Sequence, residues 1–324
     1  MFNKVRVNQL LVVFTVLAII TVITVPGGKN RHDRSFKQDL LSYDTSMVTA
    51  MVIYPPAAGE SVNFRKENNN WLVSDRSGEY NADNTIVINM LSTLNDLTVK
   101  RLAARDKEEW EAFEVTDSLA TRVEVRSGNK VVADIFLGKF SYTQAPQAAG
   151  SPYMQQQGAT ITSYVRLDGE KEVYAVDGFL NMTFNRDLKT FRDSKVLKLD
   201  RNAIASINFR LPGEDYTLIK NEGAWLADGL VADSAAMADY LKSVVNLTSR
   251  EYLDGVNLNG NPTHIVSFST DAGLTLAEVD LYYVDSTQVA LISSANSGTV
   301  FDAAAGDLFS RLVKKKADFL AATE

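Results

Sequence analysis

The chain has 324 residues, 45% of them hydrophobic and 23% charged, and carries a net charge of −7; this excludes collagen-like, low-complexity and wholly disordered chains, and the length suits about two globular domains at roughly 100–200 residues each. It contains no cysteine, which removes disulfide frameworks, thiolate nucleophiles, Cys-based zinc or iron–sulfur sites and lipoprotein acylation. Residues 1–37 hold six Lys and Arg against the single acid Asp33, so the remainder is more acidic than the chain as a whole, and an acidic body without a basic stripe argues against nucleic-acid binding.

From Val7 to Gly28 no residue is charged, and Leu10 to Val25 is almost wholly apolar. Twenty-two helical residues at about 1.5 Å each reach roughly 33 Å, enough to cross a bilayer, so residues 7–28 read as an anchor in the lipid bilayer. A cleaved signal peptide competes with this reading, but the exit Thr24-Val25-Pro26-Gly27-Gly28 lacks an Ala-x-Ala-like site. Lys4 and Arg6 precede the span while Lys29, Arg31, Arg34 and Lys37 follow it; counted literally, that bias prefers the body in the cytoplasm, although long domains translocate largely regardless of flanking charge. The expectation adopted is a single-pass protein of a bacterial inner membrane with a periplasmic body.

The body reads as a duplication. Val62 to Leu72, a polar turn running into Trp71-Leu72, is echoed by Tyr216 to Leu226, ending in Trp225-Leu226. Ala82-Asp83 recurs as Ala232-Asp233, and the offset then stays at 150 residues as Val87, Leu91, Leu94 and Leu97 match Met237, Leu241, Val244 and Leu247. That spacing places four apolar residues on one helical face, with Asp83 and Asp233 as N-caps. Strand-like alternation follows at Thr121–Arg126, Val131–Leu137, Tyr164–Leu167 and Val173–Val176, and again at His264–Ser269, Leu276–Val284, Val289–Ile292 and Thr299–Phe301. Each unit is expected to be a strand pair, a helix and a meander of about four strands, which is α+β with a helix packed on a mainly antiparallel sheet. The expected division is residues 1–37 for the anchor and basic juxtamembrane segment, 38–195 for the first unit and 196–324 for the second, joined at the charged connector Phe191-Arg-Asp-Ser-Lys195. Between Phe140 and Ser163 the first copy carries a long insertion where the second turns within Asp285-Ser286-Thr287; Tyr142, Tyr153 and Met154 in it are candidate partner contacts, with a mobile surface loop as the plain alternative.

The order of these features, an N-terminal span, a Trp-Leu strand, Ala-Asp before a helix, the strand Tyr164-Val165-Arg166 and the connector Phe191-Arg192-Asp193, resembles the DUF4340 family, a bacterial domain of unknown function. The resemblance implies a membrane-anchored envelope protein with an accessory role beside ABC transporter components of the gliding-motility type, and brings no catalytic residues with it.

Chemistry is sparse. His32 and His264 are the two histidines, and neither has an i, i+4 partner or a ligand cluster beside it. No nucleophile elbow, Walker loop or dinucleotide fingerprint appears. Asp106, Glu108, Glu109 and Glu111 are the only carboxylates worth weighing as an acid/base pair, yet they read as the wet face of a short helix whose apolar side holds Trp110 and Phe113. Lys314-Lys-Lys316 follows an amphipathic segment, where basic residues suit a helix C-terminus. No catalytic, cofactor-binding or metal-binding residues are expected. The functional expectation is a non-enzymatic extracytoplasmic accessory or scaffold module that docks on the permease or ATPase subunits of an ABC-type transporter; the alternative is an envelope ligand-binding or sensing domain with its site between the repeats.

Overall fold

The computed structural model describes residues 39–57, 59–143, 160–258 and 260–321. The expected anchor over residues 7–28 and the basic segment after it lie outside the described residues, among which no helix is long and apolar enough to cross a membrane. The rest is a sheet-rich α+β fold. In the first unit, β1 (Ala50–Tyr54), β2 (Val62–Glu67), β3 (Asn70–Ser74) and β4 (Glu79–Asn81) lead into α1 (Asn84–Asn95). They are followed by β5 (Val99–Ala104), β6 (Thr121–Ser127), β7 (Lys130–Thr143), β8 (Thr160–Leu167), β9 (Val173–Asp177), α2 (Leu180–Phe184) and α3 (Leu188–Phe191). These strands form one antiparallel sheet of nine in the order β4-β3-β2-β1-β6-β7-β8-β9-β5.

The second unit repeats the plan. β10 (Lys195–Lys198), β11 (Ser206–Leu211), β12 (Glu214–Asn221), β13 (Ala224–Ala227) and β14 (Leu230–Val231) precede α4 (Ser234–Val244). β15 (Asn246–Thr248), β16 (His264–Ser269), β17 (Thr275–Tyr283), β18 (Val289–Ser293), β19 (Asn296–Asp302) and α5 (Leu308–Leu312) complete it. Its sheet has eight strands in the order β14-β13-β12-β11-β16-β17-β18-β19, and β10 pairs separately with β15. Four strands of each main sheet, not a pair, precede its long helix: β1 and β11 are short strands near the sheet centre, where burial on one face and pairing on both edges compensate for a weak local pattern.

The two helices form for the reason the spacing gives. Val87, Leu91, Leu94 and Leu97, with Met237, Leu241, Val244 and Leu247, are all buried. Asp83 accepts hydrogen bonds from the Thr85 and Ile86 amides, and Asp233 from Ala236, each satisfying amide groups that the first helical turn leaves free. The duplication runs further than the sequence pattern alone indicates. Asp44 caps the one-turn helix Thr45–Met47 as Asp200 caps Arg201–Ala203. At the other end the Phe191 carbonyl accepts from the Asp83 amide, and the Phe319 carbonyl accepts from Asp233 in the same way. Two separate apolar cores result, one drawn from Leu40 to Phe191 and one from Val196 to Phe319.

Among the described residues, the first unit alone carries a second apolar layer on the other face of its sheet. Ala104, Val115, Tyr164, Val173 and Ala175 are buried there, with Trp110 and Phe113 packed over them. Gly138 allows this layer to approach: a Cβ at that position would stand 2.2 Å from the Phe113 carbonyl oxygen, closer than any contact a side chain tolerates.

Candidate functional site

Three places concentrate unusual side chains. The first is the junction of the units, where the charged connector forms an inter-unit clamp. The Arg192 side chain is only 2% exposed and reaches both oxygens of Asp254 from its two terminal nitrogens at 2.7 and 2.9 Å. Its guanidinium lies 3.7 Å from the ring centroid of Tyr80, in the first unit, and 3.7 Å from that of Tyr252, in the second. Planar delocalised charge is what such stacking and forked pairing require, so lysine would not replace it. Beside it, Asn296 donates to the Asp193 and Lys195 carbonyls and accepts from the Asn81 amide group. Gly298 completes the seat, because a Cβ there would come 2.8 Å from Asn81 Nδ2. Burial pushes the Tyr252 hydroxyl up to about 12, with the Arg192 charge acting in the opposite direction. A crevice of about 240 Å³ runs along the junction, lined in part by Asp83, Thr85, Asp193, Lys195 and Lys198.

The second place is the β7–β8 hairpin. Tyr142 is 58% exposed and opposite Ile161, and Phe140, also exposed, packs edge-on to Phe179 at 5.2 Å between ring centroids. Met182 on α2 is bare as well. Of the three predicted partner contacts, Tyr142 therefore stands exposed on β7, while Tyr153 and Met154 lie outside the described residues.

The third place went unnoticed in the sequence because it depends on differences between the copies. Trp71 is 3% exposed, and the Asn84 side chain closes over its strand, accepting from the Trp71 amide at 2.8 Å and donating to Asn70. In the second unit Ser234 and Ala224 occupy the positions of Asn84 and Asn70, and Ala238 that of the exposed Ile88. Tyr43, which donates its hydroxyl to the Leu91 carbonyl, is replaced by Leu199. In unit one the turn Thr45–Met47 packs on α1, whereas Arg201–Ala203 makes no comparable contact with α4. The result is an open groove of about 810 Å³ along the half-buried Trp225.

The remaining sequence candidates have structural surroundings. Asp106, Glu108, Glu109 and Glu111 are exposed on or beside two one-turn helices, not one short helix as expected. Trp110 between them stacks 3.9 Å from the Arg166 guanidinium, which Phe136 covers on its other side at 3.8 Å. Arg166 is buried and bonded to the Val115 carbonyl and Asp117. His264 is buried with its ring edge-on to Tyr283 and Phe309, and burial depresses its pKa. His32 lies outside the described residues. Lys316 pairs with Asp228 at 3.0 Å, and the Lys314 carbonyl accepts from Tyr216. Among the described residues no group of three or more His, Asp or Glu is placed to hold a metal ion.

Residues 71–265, more than half of the chain, match the family described as Domain of unknown function (DUF4340). Comparison with curated proteins and with solved structures gives no match.

Proposed function

The chain belongs to the DUF4340 family, and from that premise and its own surfaces we propose that it is a non-enzymatic, membrane-anchored extracytoplasmic module that docks on or scaffolds an ABC-type transporter of the gliding-motility type. Residues 7–28 hold it in the bacterial inner membrane, and the body lies in the periplasm. The observation that carries this reading is the combination of a clamped body and a bare hairpin. Arg192 ties the two units together through groups from both of them, and the β7–β8 hairpin presents Phe140 and Tyr142 to solvent. Exposed aromatic residues on a rigid support are the usual anchors of protein interfaces.

Topology and docking are tested separately. Because the chain has no cysteine, Ser151→Cys gives a single label position; a membrane-impermeant maleimide reacts with it in intact spheroplasts if the body is periplasmic, and labelling that waits for lysis contradicts that placement. A photo-crosslinking residue at Tyr142 in native membranes is expected to capture a permease or ATPase-associated subunit, while the same probe at Leu274, exposed at a turn of the second unit, captures none. Equal capture at both positions contradicts a docking role for the hairpin.

A further inference from the structure

The groove along Trp225 is built by a coordinated loss of bulk. Where the first unit has Asn70, Asn84 and Tyr43, the second has Ala224, Ser234 and Leu199, and the capped turn Arg201–Ala203 packs less closely on α4 than Thr45–Met47 does on α1. Simple drift in a buried site would leave a cavity and cost stability; here the space opens to solvent, so the indole is left as the wall of a cleft. Its volume of about 810 Å³ lies within the roughly 300–1,000 Å³ of small-ligand clefts.

Three features of the lining select the occupant. The base is apolar, with the half-buried Trp225 over Met237 and Leu241 from one face of α4. The lining supplies donors and acceptors in balanced charge: Arg201 and Lys220 with Glu222 and Asp233, and the uncharged Asn202. The strand that carries Trp225 has no free edge, because β13 pairs with β12 on one side and β14 on the other, and the edge strand β14 is only the two residues Leu230–Val231, too short a ladder to hold an extended peptide. A ligand suited to this groove has one C–H face to lay on an indole and several hydroxyl groups directed outward, without net charge. We infer that the second unit binds a neutral saccharide, stacked on Trp225 and hydrogen-bonded by the rim, and that the first unit has lost or never had this site because Asn84 and Asn70 close it. The inference stands on unit two alone and is independent of the docking reading.

The test uses the full chain in a detergent without a sugar headgroup, with cellotetraose, maltotetraose and chitotetraose as probes up to about 10 mM, well above the millimolar range of weak specific binding. Saturation-transfer NMR and tryptophan fluorescence are expected to show saturable binding of at least one probe. The double substitution A224N/S234N rebuilds the first unit's closure and is expected to weaken that binding at least tenfold while the melting temperature holds. Asn70→Ala with Asn84→Ser, the converse change in unit one, leaves the affinity at Trp225 unaltered. Failure of all three probes to saturate overturns the inference, as does equal affinity in A224N/S234N, or saturation of the groove by a mixed tetrapeptide pool in place of the saccharides.

Discussion

The two halves of the molecule share their frame and differ in what lies around it. Both place a tryptophan on the third strand of the main sheet, an aspartate cap on the long helix and a buried phenylalanine whose carbonyl receives that cap's amide. In the first unit β5 runs beside β9 as the sheet edge and the segment after it builds a second layer over the outer face. In the second unit that edge is a single bridge between Tyr252 and Phe301, and the following segment reaches back to Arg192 through Asp254. The same stretch of the repeat thus thickens one copy and joins the other to its neighbour. The tryptophans show the same division: one is core, the other borders a cleft. Frame positions are kept by packing and backbone satisfaction, while the surfaces between them are free to diverge.

Equivalence of the frames is broken or sharpened most strongly at Phe191 and Phe319. Both are buried to within 1%, and Phe→Ala in a core costs about 3–5 kcal/mol, so urea unfolding of F191A and F319A is expected to show comparable losses; a large loss in one alone breaks the equivalence. Next comes the clamp, where Asp254→Asn leaves the Arg192 charge buried against two rings. Stranding a buried charge costs about 3–5 kcal/mol, reduced here to about 2 kcal/mol because Asp254 itself is partly exposed and water can approach. Limited proteolysis of the variant is expected to cut near residues 192–195, where the parent resists. The caps follow: Asp83→Ala and Asp233→Ala each remove about 1 kcal/mol, to be read as matched shifts in the denaturation midpoint.

The smallest effect is a pH dependence confined to the second unit. His264 is neutral-favouring because burial lowers its folded-state pKa below the ordinary 6.5. The unfolded chain therefore takes up the proton first, and the stability associated with neutral His264 is full above about pH 6.5 and falls as the pH drops through and below that value. His264→Phe is expected to flatten the fall below about pH 6.5 in thermal denaturation; an unchanged slope removes His264 as its source.

Much of the frame was legible in the sequence, since helical periodicity, aspartate caps and alternating strands are local signals. Thr121–Ser127, Val173–Asp177 and His264–Ser269 fall where alternation places them. What escaped was nonlocal. In the sequence Arg192 is only part of a charged connector, because its ring partners Tyr80 and Tyr252 and its acid Asp254 are distant along the chain. The match of Asp44 with Asp200 was hidden because intervening turns differ in length and shift the register before the 150-residue offset begins. The Trp225 groove required knowing that Asn84 closes over Trp71, a contact no pattern of residue types announces. Tyr142 was found from the insertion alone, and its exposure on the hairpin could not be read from spacing.

The central claim is that this clamped pair of units serves a transporter, and affinity purification of the tagged full-length protein from its native membrane, after light cross-linking and in mild detergent, tests it most directly. ABC permease and ATPase subunits returning near stoichiometrically, and lost when residues 143–160 are deleted, are the predicted result. A protein that returns alone contradicts the account, and the same partners after that deletion remove residues 143–160 from the docking surface.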